Sequence, residues 1–138
     1  MRASRAVFVD SGAWIALAVS GDPLHARAAE TWNRIRVAGH AICTSVPVIL
    51  ETFTFLDRNT RRDVALDWKD SLGEVPGLRT LECRAEDMPG VWKYFERQDL
   101  HKLSAVDATS FVLMTRNGIK NAFAFDHHFA SAGFRMIG

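Results

Sequence analysis

The sequence predicts a single α/β domain with three layers, α/β/α, around a parallel sheet of four to five strands. Its 138 residues are the length of one ordinary domain, here taken as 1–138. Short apolar segments alternate with longer segments of helical periodicity. No internal repeat or low-complexity linker interrupts them. Such alternation is typical of parallel sheets that helices cover on both faces.

The strands are predicted where short apolar or β-branched runs end at polar or turn residues. In chain order, these are residues 5–10, 40–44, 78–81, 121–125 and 134–137. The first strand is the clearest, because its apolar run stops abruptly at Asp10, Ser11 and Gly12. The last is the weakest candidate, and for this reason the expected number of strands is four to five.

The helices are predicted where apolar residues recur every three or four positions. In chain order, these are residues 13–20, 24–37, 45–56, 61–72, 86–98 and 104–116, with a short helix after Asp126. Asp22 and Pro23 provide a start signal for the second helix, and Gly39 provides its stop. Pro47 lies in the first turn of the third helix.

The composition favours a cytoplasmic protein that does not enter a membrane. Hydrophobic residues make up 48% and charged residues 24% of the chain, and no apolar stretch approaches the ~20 residues that a membrane span needs. The amino terminus runs directly into the first strand, so no signal peptide is expected. Cys43 and Cys83 are far apart and form no CxxC pair, which favours reduced thiols over a disulfide or a zinc site.

Four acidic residues stand at the edges of apolar segments or within them. They lie in the segments VFVDSGAWIAL, PVILETFTFL, LSAVDATSFVLM and AFAFDHHF, as Asp10, Glu51, Asp107 and Asp126. Asp10 and Asp126 follow strands, and ligands of parallel sheets bind outside the carboxyl ends of strands. If the first and fourth strands are neighbours, these two carboxylates converge.

Each acid also has a structural alternative. Asp10 and Asp126 suit the N-cap of a following helix as well as a ligand role. Asp107 fits a capping box with Ser104, and taken alone this alternative is the stronger one. Glu51 is the hardest to explain structurally, because its helix neighbours are mostly apolar and burying its charge is costly. Arg58, seven residues later, is its alternative partner; the ligand role is favoured.

Four convergent carboxylates predict a site for a hard divalent cation, Mg²⁺ or Mn²⁺, which prefers oxygen ligands. Such a cation binds a scissile phosphate and activates water. Without a cation the carboxylates repel one another, so cation binding should stabilise the fold. This pattern points to hydrolysis of a phosphodiester.

In these four segments, the chain resembles the PIN-domain ribonucleases, and in particular the VapC-type toxins of toxin–antitoxin pairs. The order and spacing of the segments agree with that family from end to end. The resemblance implies a Rossmann-like fold with strand order 3-2-1-4-5 and Mg²⁺- or Mn²⁺-dependent endonuclease activity on RNA. It also implies a homodimer and an antitoxin that covers the acidic pocket or inserts a basic side chain into it.

By the same resemblance, Asp10, Glu51, Asp107 and Asp126 are the catalytic and metal-binding residues, and Ser11 carries a hydroxyl that orients the site. His127 is a further candidate for substrate contact. An exposed helix start is the favoured explanation of His127 and of the neighbouring His128, which could otherwise touch phosphate or metal.

The leading hypothesis is therefore an endoribonuclease in which a metal-activated water attacks phosphorus in line and the 3′ oxygen leaves. A second hypothesis is a PIN-like RNA-binding or antitoxin-regulated subunit without turnover. An aspartyl-phosphate phosphotransferase with Asp10 as nucleophile ranks last, because Gly12 occupies the position where that class has a second aspartate.

Overall fold

A computed structural model describes residues 5–138 and contains one five-stranded sheet in which every pairing is parallel. Its strands are β1 (Val7–Val9), β2 (Ile42–Ser45), β3 (Arg79–Leu81), β4 (Asn121–Phe123) and β5 (Arg135–Ile137). Their spatial order is β3-β2-β1-β4-β5. This confirms the predicted fold class and the strand order that the family resemblance implied.

Seven helices connect the strands within the described residues. They are α1 (Ser11–Ala18), α2 (His25–Val37), α3 (Val46–Asn59), α4 (Arg62–Ser71), α5 (Met88–Tyr94), α6 (Ala105–Arg116) and α7 (His128–Ser131). The chain moves from β1 to β3 in one direction and then to β4 and β5 in the other. Right-handed crossovers therefore place α1–α4 on one face of the sheet and α5–α7 on the other. In agreement, α1 packs on α2 and α3, and α6 packs on α5 and α7.

The core lies on both sides of β1, whose three residues are fully buried. Its largest side chains are phenylalanines from both halves of the chain, Phe8, Phe111, Phe123 and Phe129. No helix in the described part of the chain is long and apolar enough to cross a membrane. The direction of winding reverses between β1 and β4, which opens a crevice at their carboxyl ends.

Several predicted element boundaries were wrong, each for a local reason. Helix α2 begins at His25, because Asp22 Oδ1 accepts the Leu24 N–H at 2.8 Å and forms a turn ahead of the helix. The helix predicted at 86–98 is a 3₁₀ turn (Ala85–Asp87) followed by α5, and Phe95 continues it with a bond to the carbonyl three residues back.

The other differences in boundaries lie next to the acids. Helix α1 begins at Ser11, two residues earlier than predicted, so that Asp10 occupies its N-cap position. Strand β4 ends at Phe123 rather than at Phe125, which leaves Asp126 three residues beyond the sheet.

Candidate active site

All four predicted acids line one pocket of about 370 Å³ at the crevice between β1 and β4. The backbone joins the two strands there, since the Asp10 N–H donates to the Phe123 carbonyl at 3.1 Å. The remaining acids come from the middle of α3 and the first turn of α6. The complete lining is Asp10, Ser11, Gly12, Ile15, Glu51, Phe55, Lys102, Ser104, Asp107 and Asp126.

Asp10 is buried, with 4% of its surface exposed. It occupies the N-cap position of α1, but its side chain makes no capping hydrogen bond and its Oδ1 atom has no partner. Burial raises the pKa of Asp10 to about 7, an effect that the nearby backbone N–H groups of Ser11 and Gly12 only partly offset and to which the charges of Glu51 and Asp126 add. The capping alternative therefore does not explain why an aspartate stands here.

Asp107 lies in the first turn of α6, and only half of the expected capping box forms. The Ser104 hydroxyl accepts the Asp107 N–H at 3.0 Å, but the Asp107 carboxyl makes no return bond to Ser104. It is hydrogen-bonded to Asp126 instead. Burial, the charge of Asp10 and this hydrogen bond raise the pKa of Asp107 to about 8.

Asp126 accepts two hydrogen bonds, one from the Asp107 carboxyl and one from the backbone N–H of His128, at 2.9 Å to its Oδ1. Burial by itself would raise the pKa of Asp126, but these two hydrogen bonds and the neighbouring His128 ring hold it below its ordinary value. Of this pair, Asp107 is therefore the acid whose raised pKa favours the protonated form, and Asp126 is the one whose lowered pKa favours the charged form.

Glu51 lies half-buried in the middle of α3 and lines the pocket. Its charge raises the pKa of both Asp10 and Asp107. No ion pair joins Glu51 to Arg58 among the salt bridges of residues 5–138. The alternative role of Glu51, as the partner of Arg58, therefore lacks support.

Ser11 and His127, the candidates for orienting the site and contacting the substrate, differ in their position relative to the pocket. Ser11 lines the pocket as the first residue of α1. His127 is almost fully exposed, and its Nδ1 lies 3.8 Å from Asp126 Oδ1. Its neighbour His128 is buried and lies closer, with Nδ1 at 2.9 Å from the same oxygen.

Sequence reasoning did not identify Lys102, the basic residue that lines the pocket. Its φ of 57° lies in the left-handed region, where a non-glycine residue is strained, and such strain is found often at functional sites. The segment Leu-His-Lys-Leu carries no signal for this conformation. The backbone conformation of Lys102 is set by the loop that joins α5 to α6.

The donor set fits a hard divalent cation. Four carboxylates converge, one of their oxygens has no partner, and burial with mutual repulsion raises the pKa of Asp10 to about 7 and that of Asp107 to about 8. Mg²⁺ and Mn²⁺ prefer oxygen ligands of this kind. Asp126, His127 and His128 also bring one ligand atom each to within 4.8 Å of one another.

The parallel sheet has the order 3-2-1-4-5, and an acidic pocket lies at its reversal point, as the family resemblance implied. The PIN-domain family model matches residues 7–135. The chain therefore belongs to the PIN-domain family, whose members are metal-dependent nucleases.

Within that family, two relatives are named "23S rRNA-specific endonuclease VapC20", from Mycobacterium tuberculosis strains CDC 1551 and H37Rv. Each is 34% identical over 128 residues, which cover 93% of this chain and 95% of the relative. The crystal structure of M. tuberculosis VapC20, a sarcin–ricin loop cleaving toxin, matches with a TM-score of 0.81 and 33% identity. That match covers 94% of this chain and 96% of the other. These findings confirm the predicted family, its VapC type and the endonuclease class.

Proposed function

We propose that this protein is the toxin of a toxin–antitoxin pair and an endoribonuclease that uses Mg²⁺ or Mn²⁺ to cut ribosomal RNA. The proposed target is the sarcin–ricin loop of 23S rRNA, the target named for its relative. The observation that carries the proposal is the convergence of four carboxylates in one pocket, none of which forms an ion pair with a lysine or arginine of residues 5–138. The ribosome is the substrate, so the proposed place of action is the cytoplasm.

The roles of the residues follow from their positions. Asp10, Glu51, Asp107 and Asp126 would hold the cation, which when bound activates water and stabilises charge on the phosphate. Asp126 remains ionised at neutral pH, whereas Asp10 and Asp107 must release protons as the cation enters. The Ser11 hydroxyl orients the site, and Lys102 is placed to contact the substrate phosphate.

A cleavage assay on a sarcin–ricin loop RNA hairpin tests this proposal. We expect cleavage with Mg²⁺ or Mn²⁺, none in chelator, and products that end in a 5′ phosphate and a 3′ hydroxyl. Asp10→Asn and Asp107→Asn should abolish cleavage, whereas Asp70→Asn, an exposed aspartate of α4, should not. Products with a 2′,3′-cyclic phosphate would contradict the attack by water.

The same assay also decides between an enzyme and a binding module. Metal-dependent stabilisation and RNA binding without any cleavage would favour a subunit that lacks turnover. A hairpin with a scrambled loop is the matched control for the substrate. Equal cleavage of both hairpins would support the nuclease activity but contradict the proposed specificity for the sarcin–ricin loop.

The antitoxin has a candidate docking surface next to the acidic pocket. A groove of about 760 Å³ runs along α3 and shares Glu51 and Phe55 with the pocket. Along this groove Val46, Leu50 and Phe55 are exposed, with Leu50 62% exposed. An antitoxin segment would lay apolar residues in the groove and direct a basic side chain at the acids.

A substitution in this groove tests the role of the antitoxin. Leu50→Asp should weaken inhibition by the protein encoded next to this gene and leave cleavage of the hairpin unchanged. Unchanged inhibition would show that the antitoxin binds elsewhere.

The proposed homodimer has a candidate interface on α5. Trp92 and Phe95 are 55% and 46% exposed, and their rings lie 6.3 Å apart, which forms an aromatic patch on the surface. Light scattering after gel filtration should give a dimer for the wild type and a monomer for Trp92→Ser. A monomeric wild type at 50 μM or so would contradict the proposal.

A further inference from the structure

His128 is a buried histidine whose ring is fixed by a hydrogen bond to the loop before α6. It is 5% exposed, and its Nε2 lies 2.7 Å from the backbone carbonyl of His101. A carbonyl only accepts hydrogen bonds, so Nε2 is the protonated nitrogen of this imidazole. In the neutral ring, Nδ1 therefore presents its lone pair.

That lone pair faces Asp126, whose carboxyl group lines the acidic pocket. Nδ1 lies 2.9 Å from Asp126 Oδ1, yet it has no hydrogen-bond partner of acceptable geometry. The same oxygen already accepts the backbone N–H of His128 at 2.9 Å. A nitrogen lone pair and a carboxylate oxygen at this distance repel each other unless a proton or a metal ion attracts both.

A metal ion fits this arrangement better than a proton does. A proton on Nδ1 would need to point along the line to Oδ1, whereas a metal ion binds both atoms from the side. Two ligands at about 2.1 Å in adjacent positions of an octahedron lie about 3.0 Å apart, close to the separation observed here. The bond from Nε2 to the His101 carbonyl is also the usual means of orienting a metal-binding histidine.

We propose that His128 Nδ1 and Asp126 form a nitrogen–oxygen ligand pair, so that the acidic pocket selects Mn²⁺ or another transition metal over Mg²⁺. Imidazole nitrogen suits transition metals, while Mg²⁺ prefers oxygen alone. The inference rests on the proposed function only in requiring that the acids bind a divalent cation. His127 is not needed, because its ring is exposed and lies farther from Asp126.

The direct test is electron spin-echo envelope modulation of the full-length protein loaded with Mn²⁺. We expect modulation from ¹⁴N in the wild type and its replacement by the ¹⁵N pattern when only the histidines carry ¹⁵N. This isotope experiment needs no variant and so does not depend on whether a variant folds. His127→Gln should retain the histidine signal.

His128→Gln provides the matched variant. A glutamine amide reaches the position of Nε2 and keeps the donor to the His101 carbonyl, but it has no atom at Nδ1. We expect its affinity for Mn²⁺ to fall about 10-fold or more, as it does when even an outer partner of a metal ligand is lost. Its affinity for Mg²⁺ should change by less than about threefold, because Mg²⁺ gains little from nitrogen.

The outcomes separate this inference from the proposed function. Bound Mn²⁺ without any histidine nitrogen signal would overturn the role of His128 and leave the nuclease proposal intact. A signal lost in His127→Gln but kept in His128→Gln would also overturn it. If neither Mn²⁺ nor Mg²⁺ bound to the protein, the proposed metal-dependent nuclease function would be contradicted as well.

Discussion

At the scale of single residues, the most informative side chain is Asp10. A carboxylate buried at the end of a central strand loses its hydration, and this costs several kcal/mol unless hydrogen bonds or a cation replace the water. The Oδ1 atom of Asp10 has no hydrogen-bond partner, and the backbone N–H groups of Ser11 and Gly12 only partly offset the cost of burial. The raised pKa of Asp10 expresses this cost directly. A residue that lowers the stability of the metal-free fold in this way is best explained as a ligand of a cation that is bound when the protein functions.

The replacement Asp10→Asn should therefore raise stability and remove cation binding. We expect the metal-free variant to unfold at pH 8 with a free energy about 1–3 kcal/mol higher than the wild type, because the buried charge is gone. The rise in Tm with Mg²⁺ should disappear. Thermal unfolding with and without Mg²⁺ measures both effects, with Asp70→Asn as the control.

A loss of stability in metal-free Asp10→Asn would show that the carboxylate has a structural partner. A retained response to Mg²⁺ would remove Asp10 from the metal site.

Sequence patterns identified the acidic residues that stand among apolar neighbours. They missed the pocket residues whose position is set by the conformation of a loop. Glu51 was recognisable because no other charge lies between Val46 and Leu56. Lys102 and His128 were not distinguished from surface residues, because their placement depends on the loop before α6 and on the turn after β4. Neither segment has a periodicity that reveals which side faces the pocket.

At the scale of elements, the hydrogen bonding at the start of α6 determines which partner the Asp107 carboxyl binds. The Ser104 hydroxyl satisfies the Asp107 N–H, so the carboxyl is not required for capping and is available to Asp126. Helix α3 has a similar start, where the Ser45 hydroxyl accepts the Val48 N–H at 3.2 Å. Glu51, however, is six residues beyond that cap, whereas Asp107 is only three residues beyond Ser104.

This difference predicts different effects of two cap substitutions. Ser104→Ala and Ser45→Ala should each lower the free energy of unfolding by about 1 kcal/mol, the usual loss for a serine cap. Only Ser104→Ala should also weaken Mg²⁺ binding, because the turn that carries Asp107 loses its hydrogen bond. Urea unfolding and Mg²⁺ titration provide the two measurements.

Equal losses of Mg²⁺ affinity in both variants would indicate a general loosening of the fold. In that case the Ser104 cap would have no special role in placing Asp107.

At the element scale, helix and strand types were predictable and boundaries less so. Gly39 ended α2 as expected, with φ of 74° and its N–H bonded to Arg36. The start of α2 was misplaced because the Asp22 side chain caps a turn instead of the helix. Sequence alone does not distinguish these two uses of an aspartate before a proline.

At the scale of the whole molecule, the reversal of winding between β1 and β4 brings together acids that are up to 116 residues apart in sequence. Periodicity predicted the elements and the parallel sheet. The strand order, however, came from the family resemblance, because short strands of similar composition carry no signal for their neighbours. The site is thus a property of the topology, to which each acid contributes from a different element.

The same convergence makes the stability of the metal-free protein depend on pH. The pKa of Asp10 is raised to about 7 and that of Asp107 to about 8, from a usual value of 3.8. A raised pKa means that folding favours the protonated acid, so this contribution to stability is complete below pH 4. It is lost as pH rises through 7 and 8, where the folded protein must ionise both groups.

In chelator we therefore expect Tm to fall by about 5 °C or more between pH 5 and pH 8.5. Saturating Mg²⁺ should reduce or reverse this slope, because the cation replaces the two protons and stabilises the folded state by about 2.7 kcal/mol at 100 times its Kd. Calorimetry across this range, with and without Mg²⁺, gives both slopes. The double variant Asp10→Asn, Asp107→Asn serves as the control and should show a flat profile in chelator. A wild-type Tm that rises with pH in chelator would mean that the carboxylates are already compensated within the protein, and that the pocket does not need a cation to hold its charges together.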